Sequence, residues 1–174
     1  MSAGGPVLVT GFGPFPGVPT NPTDALVREV DGAVVSGVPV VGRVLPTSFV
    51  RGPDGAIAAA RELGARLVVG LGVAVSRTAV CVERVGVWVG EGRADVDGSV
   101  ATCLEGPETV LASLDVHRLA SALGAELSDD AGRYVCNAWL YRVTRSLDVP
   151  VGFVHIPPSG ITGARLLDGI RALL

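Results

Sequence analysis

The chain has 174 residues, 48% of them hydrophobic and 18% charged, and a formal net charge of −3. That length suits one domain, read as residues 1–174, with a core that needs neither disulfides nor metal to hold it. The 14 Lys and Arg are scattered rather than clustered, which leaves no electrostatic footprint for nucleic acid.

The apolar run from Leu67 to Val75 is far short of a bilayer span. The first residues, Met1 to Pro6, lack the basic and apolar regions of a signal peptide. The expectation is a cytoplasmic protein with small-molecule or peptide partners and no membrane, its oligomeric state open, a homo-oligomer included. Cys81, Cys103 and Cys136 show no C-x-x-C spacing, and His117 and His155 no metal-ligand spacing. Neither a disulfide framework nor a metal site is supported.

In chain order, Val7 to Val9 reads as a short strand running into Thr10-Gly11-Phe12-Gly13-Pro14-Phe15-Pro16-Gly17. This is a poor nucleotide loop, because Pro14 and Pro16 interrupt it before any helix begins. Phe12 and Phe15 suit a flat or cyclic apolar group better than a pyrophosphate; they serve equally well as plugs for the core beneath the loop.

Asn21-Pro22 caps a helix to about Val30, and Val38 to Leu45 is a strand. Pro53 fits a helix N-terminus, and that helix runs through Leu63 to a Gly64 stop. Arg66 to Gly72 is a buried strand of parallel-sheet type. Thr78 to Val89 reads as an extended pair of segments. Within it Glu83 lies among valines and has to be paired or face an opening, since an isolated buried charge is costly. Asp95 to Gly98 is a turn, and Gly106-Pro107 opens a further segment.

A short helix capped near Asp115 runs to Leu123 and carries His117 toward solvent; a strand follows around Glu126 to Ser128. The stretch Val151 to Pro158 holds the last strand, stopped by Pro157 just after His155, and Ile161 to Leu174 is the last helix. Alternating strands and helices predict an α/β protein, a three-layer α/β/α sandwich with a mixed, largely parallel sheet and ligands at the carboxyl ends of its strands.

Cys136 stands where Gly132-Arg133-Tyr134-Val135 leads into a helix that runs free of Gly and Pro to Leu147. Unpaired N–H groups at a helix start favour an anion, so the thiol is expected to shift toward thiolate. The same residue also fits the buried stripe Cys136, Leu140, Val143, Leu147. His155 ends the last strand, where α/β proteins keep their chemistry, although a lone histidine there also fits simple core packing. Cysteine to attack, histidine to hold the proton and a carboxylate to orient the ring are the three types a cysteine hydrolase requires.

Five separated segments resemble pyroglutamyl peptidase I, the pyrrolidone-carboxylate cysteine peptidases, along nearly the whole chain. Thr10 to Phe15 with Asn21-Pro22 is similar to the family's TGFxPFxG…NP, and Arg43 to Phe49 to its second-strand motif. Glu83-Arg84-Val85 is similar to the catalytic-glutamate segment, Ala131 to Asn137 to AGxFVCN, and Phe153 to Pro157 to FIHIP.

The resemblance implies Cys136 as nucleophile, His155 as general base then acid, and Glu83 as its partner. It implies Phe12, Phe15 and Tyr134 as walls of a pocket for a lactam ring, with Asn21 beside it and Arg93 near the centre. The substrate implied is a small peptide or N-acyl amide cleaved through a thioester, with no metal or organic cofactor.

Gly72 to Arg77 departs from the family's GQAGGR: Val73 replaces the pocket glutamine, and Val75 and Ser76 replace glycines. The chain is also shorter than typical members, with gaps after Glu29 and between Val89 and Gly106. The triad is spared and recognition is touched. An altered acyl specificity and a non-catalytic binder therefore stand beside pyroglutamyl hydrolysis.

Overall fold

Apolar runs without polar alternation belong to strands buried on both faces, and in the folded chain these runs form the middle of one sheet. The computed structural model describes residues 4–101 and 105–174, so Cys103 lies outside the described residues. In chain order the elements are β1 (Val7–Phe12), α1 (Pro22–Val30), β2 (Val34–Val35), β3 (Val38–Leu45), α2 (Arg51–Leu63), β4 (Leu67–Val73) and β5 (Cys81–Glu83). There follow β6 (Val85–Val87), β7 (Thr109–Leu111), α3 (Val116–Leu123), β8 (Glu126–Ser128), α4 (Val135–Ser146), β9 (Val151–Ile156) and α5 (Gly163–Leu173).

Seven strands form the main sheet in the order β2-β3-β1-β4-β9-β5-β8. β3, β1, β4 and β9 run parallel, β5 is antiparallel to β9, and β8 is parallel to β5. The expected mixed, largely parallel sheet is present. The two-residue period of each strand sorts its apolar run into two cores. Leu8, Val68 and Phe153 pack with Ala56, Trp139 and Leu140 under α2 and α4. Their neighbours Val9, Val69 and Val154 pack with Leu26, Leu119, Leu166 and Ile170 under α1, α3 and α5. Each fully buried side chain of this size contributes about 1.5–3 kcal/mol, so both helical layers are firmly seated.

Several boundaries differ from the sequence reading. β2, a two-residue strand, pairs antiparallel with β3 across a tight turn in which Ser36 and Gly37 take φ of 50° and 78°; the Ser-Gly pair was its only signal. α2 starts at Arg51 rather than Pro53, and Pro53 falls within its first turn, where a missing N–H is harmless. The extended stretch from Thr78 breaks at Arg84. β5 stays in the main sheet, while β6 pairs antiparallel with β7 in a separate ribbon.

Gly70 and Gly72 set the height of α4 over the sheet. They lie on the same face of β4, two residues apart. A Cβ at 70 would come within 2.7 Å of the Trp139 indole, and one at 72 within 2.5 Å of Cys136 Sγ. The bare backbone therefore forms a groove in which Trp139, fully buried, and the thiol come to rest.

Candidate active site

The carboxyl ends of β1, β4 and β9 and the start of α4 surround a cavity of about 470 Å³ lined by Phe12, Phe15, Val73, Tyr134, Cys136 and His155 among others. The placement follows from the parallel register: strands that run together end together, and their following loops meet on one edge.

Cys136 lies in the first turn of α4. Gly132, at φ 76°, turns the chain, its N–H donating to Asp130 Oδ1 at 3.0 Å. Tyr134 is the N-cap in extended conformation, and no side chain among the described residues caps the helix, which leaves its first N–H groups without a capping oxygen from them. Of the two sequence readings of Cys136, the buried stripe is present: Leu140 and Val143 are buried, and Cys136, half-buried, packs on Gly72 while lining the cavity. The expected thiolate shift does not hold. Burial first, and then the negative charge of Glu83, push the Cys136 thiol up to about 12, against the weaker opposing pull of its own helix N–H and of Arg77. Desolvation outweighs the helix terminus.

Gly72 on β4, His155 on β9 and Cys81 on β5 are register neighbours across three strands. With strands about 4.8 Å apart, the imidazole rises one strand away from the residue on which the thiol rests. β5 runs antiparallel, and Glu83 faces Phe153, two residues before His155 on the same side of β9. The carboxylate therefore approaches the ring from beneath, and Glu83 Oε1 lies 2.7 Å from His155 Nδ1. Glu83 is completely buried, and the same Oε1 accepts from Arg77 Nη1 at 2.6 Å. The demand that a carboxylate among valines be paired is met twice. Phe153 packs edge-on to the His155 ring with centroids 5.1 Å apart.

The other expected pocket residues sort less evenly. Phe12 belongs to the core under α2 and also lines the cavity. Phe15 is half-buried and stands 6.0 Å, centroid to centroid, from Tyr134, whose hydroxyl donates to the Ala94 carbonyl at 2.9 Å. Asn21 lines the cavity but its amide is engaged: Oδ1 accepts from Thr23 N–H at 3.1 Å as the α1 cap, and Nδ2 donates to the Gly13 carbonyl at 3.1 Å. Arg93 stacks over Tyr134 and Phe15 and donates to the Pro16 carbonyl at 3.1 Å. Val73, at the end of β4, offers only methyl groups.

Three contributors escaped the sequence reading. Gly72 had a signal, a glycine inside an apolar strand, which marks close backbone approach. Asn137 had none: its buried amide accepts from Val87 N–H at 2.8 Å and donates to the Val87 carbonyl at 2.9 Å, tying β6 to the first turn of α4. Arg77 appeared only as the end of a divergent loop. His117 is exposed on α3, away from these groups. Among the described residues, no group of three or more His, Cys, Asp or Glu is placed to hold a metal ion, and no helix is long and apolar enough to cross a membrane.

The family model for pyroglutamyl peptidase matches residues 6–164. The chain is 36% identical over 169 residues to a pyrrolidone-carboxylate peptidase of Halalkalibacterium halodurans, covering 88% of this chain and 84% of that protein. It is 34% identical over 169 residues to one of Mycobacterium marinum, covering 87% and 76%. Its fold matches pyroglutamyl peptidase I from Bacillus amyloliquefaciens with a TM-score of 0.86 at 24% identity, covering 97% of this chain and 92% of that one. A mutant pyrrolidone carboxyl peptidase from Pyrococcus furiosus gives 0.83 at 25% identity, covering 96% and 95%. These matches define an α/β cysteine peptidase of the exopeptidase type. Within that class the chain belongs to the pyroglutamyl peptidase family, whose members remove N-terminal pyroglutamate.

Proposed function

We propose that this chain, as one domain over residues 1–174, hydrolyses the amide bond after an N-terminal pyroglutamyl group of a small peptide or N-acyl amide, with Cys136, His155 and Glu83 as its catalytic groups. The observation that carries the reading is the buried Glu83 to His155 Nδ1 contact of 2.7 Å on the strand next to Gly72, against which the Cys136 sulfur packs.

With Glu83 accepting at Nδ1, the neutral ring carries its proton there and presents the Nε2 lone pair. A thiol held near 12 is protonated at neutral pH, so its proton passes to Nε2 as sulfur attacks the acyl carbon, rather than before. Glu83 stabilises the imidazolium that results.

The tetrahedral oxyanion is stabilised by the uncapped N–H groups that open α4. Its collapse breaks the C–N bond, and His155 returns the proton to the leaving amine, leaving a thioester on Cys136. Water, deprotonated by the same Nε2, adds to the thioester, the C–S bond breaks, and the free acid and thiol are restored. A free-thiol nucleophile fits a reducing compartment such as the cytoplasm.

A second reading, the same hydrolysis with altered acyl specificity, is favoured by the side chains around the rings. Asn21, Thr47, Tyr134 and Arg93 all direct hydrogen bonds to their own chain, and Val73 has none to give. Such a wall selects a compact ring by shape more than by its lactam groups.

Incubation with a pyroglutamyl amide carrying a fluorescent leaving group tests the assignment. Release by the native chain and none by Cys136→Ala is expected; no release, or equal release by both, removes the pyroglutamyl assignment. A cyclopentanecarbonyl amide cleaved as well as the pyroglutamyl one would establish the second reading. Binding of either compound without turnover would make the chain a non-catalytic binder.

A further inference from the structure

The carboxylate of Glu83 is unevenly used. Its side chain is entirely buried, its Oε1 serves both His155 and Arg77, and its Oε2 has no hydrogen-bond partner among the described residues. Arg77 comes from the loop after β4 and is only 27% exposed. Nη1 donates to Glu83 at 2.6 Å, and Nη2 donates to the carbonyl of Asp130, in the segment that leads into α4. One guanidinium thus joins the carboxylate behind the imidazole to the loop that delivers the thiol. Among the described residues it is the only Lys or Arg in a salt bridge with Glu83.

We propose that Arg77 is a positioning residue for catalysis, the counter-charge that aims buried Glu83 at His155 Nδ1 while fixing the approach to α4. This rests on the reading of Cys136, His155 and Glu83 as the catalytic groups. The other titratable groups packed on the pair are Cys136 on α4 and Cys81 on β5, opposite His155. Asp129 is paired with Arg84 and Asp130 with Arg133 at the surface.

Without the guanidinium, Glu83 has two ways to relieve a buried charge. It takes a proton itself and ceases to support the imidazolium, or it holds His155 protonated and silences the base. Both move the acid limb of kcat/KM to higher pH. A residue that only braced a loop would lower activity equally at every pH and leave the limb in place.

The experiment is the pH profile of kcat and KM for the native chain, Arg77→Gln and Arg77→Lys, with Cys136→Ala as control and thermal unfolding alongside. Arg77→Gln is expected to move the acid limb up by about one pH unit, which is roughly a tenfold loss on that limb, with kcat falling more than KM rises. Arg77→Lys keeps the charge but not the fork to Asp130, and is expected to return the limb to its native position with only part of kcat. An unmoved limb in a folded Arg77→Gln overturns the proposal.

Where Arg77→Gln does not fold, Arg77→Ala supplied with methylguanidinium or with the neutral methylurea of similar shape decides. Rescue by the cation alone supports the role; equal rescue by both, or by neither, overturns it. Activity surviving in Cys136→Ala would instead overturn the reading on which the proposal rests, so the two failures are distinct.

Discussion

At the Cys136 end of the cavity the charged groups are committed to one another across the chain: Glu83 to His155 and Arg77, and Arg77 to the loop before α4. At the Phe15 end the polar side chains are spent on backbone carbonyls, Asn21 on Gly13, Tyr134 on Ala94 and Arg93 on Pro16. Beside Ser76 and Glu91, methyl groups and aromatic rings make up the rest of this lining. The first arrangement is directional and tolerates little displacement, because proton transfer requires hydrogen-bond reach. The second is a matter of volume and shape, where one methylene is worth about 1–3 kcal/mol. Reaction and recognition are thus built from different physics within one cavity, and substitutions at the two ends should fail differently.

The sharpest way to break the contrast is at Gly72. A Cβ there would overlap the Cys136 sulfur and the Phe153 ring, so Gly72→Ala is expected to lower kcat/KM by about 100-fold or more, with KM for a pyroglutamyl amide changing far less. A loss confined to KM would mean that Gly72 serves the acyl end instead.

Next is the resting thiol. Held near 12, it should react with iodoacetamide at neutral pH at least about tenfold more slowly than a free cysteine of pKa about 8.5, with a rate that keeps climbing as pH rises through the mildly alkaline range. Rapid labelling with a plateau near neutrality would show a preformed thiolate and reverse the order of proton transfer given above.

At the acyl end, Val73→Gln restores an amide to the wall and should raise the preference for pyroglutamyl over cyclopentanecarbonyl amides by about tenfold, the worth of one matched hydrogen bond, while leaving the pH profile unchanged. The smallest effect belongs to Tyr134→Phe. It removes the bond to Ala94 and should cost about 0.5–1.5 kcal/mol of stability, read as a lower melting temperature with little change in kcat.

The central strands were legible because β1, β4 and β9 are apolar runs bounded by Gly or Pro, and the helix ends because Asn21 and Gly64 carry capping chemistry. β2 was not, since two residues held by a turn have no periodicity to read. Glu83, His155 and Cys136 could be singled out by type and placement, and the need for a partner on Glu83 followed from burial cost. The identity of that second partner did not, because Arg77 reaches it through a loop whose path depends on the fold. The thiol was misjudged for a related reason. A helix start can be read from local sequence, whereas desolvation comes from packing on residues such as Gly72, far away along the chain.

The ribbon of β6 and β7 would be marginal as an isolated pair of strands. Asn137, next to the thiol, lends its amide to both backbone groups of Val87 and so behaves as one residue of a third strand. Opening the ribbon therefore breaks two bonds at the base of α4, and the two elements form a single cooperative unit in local unfolding. Amide exchange at Val87 then reports the integrity of the nucleophile's turn.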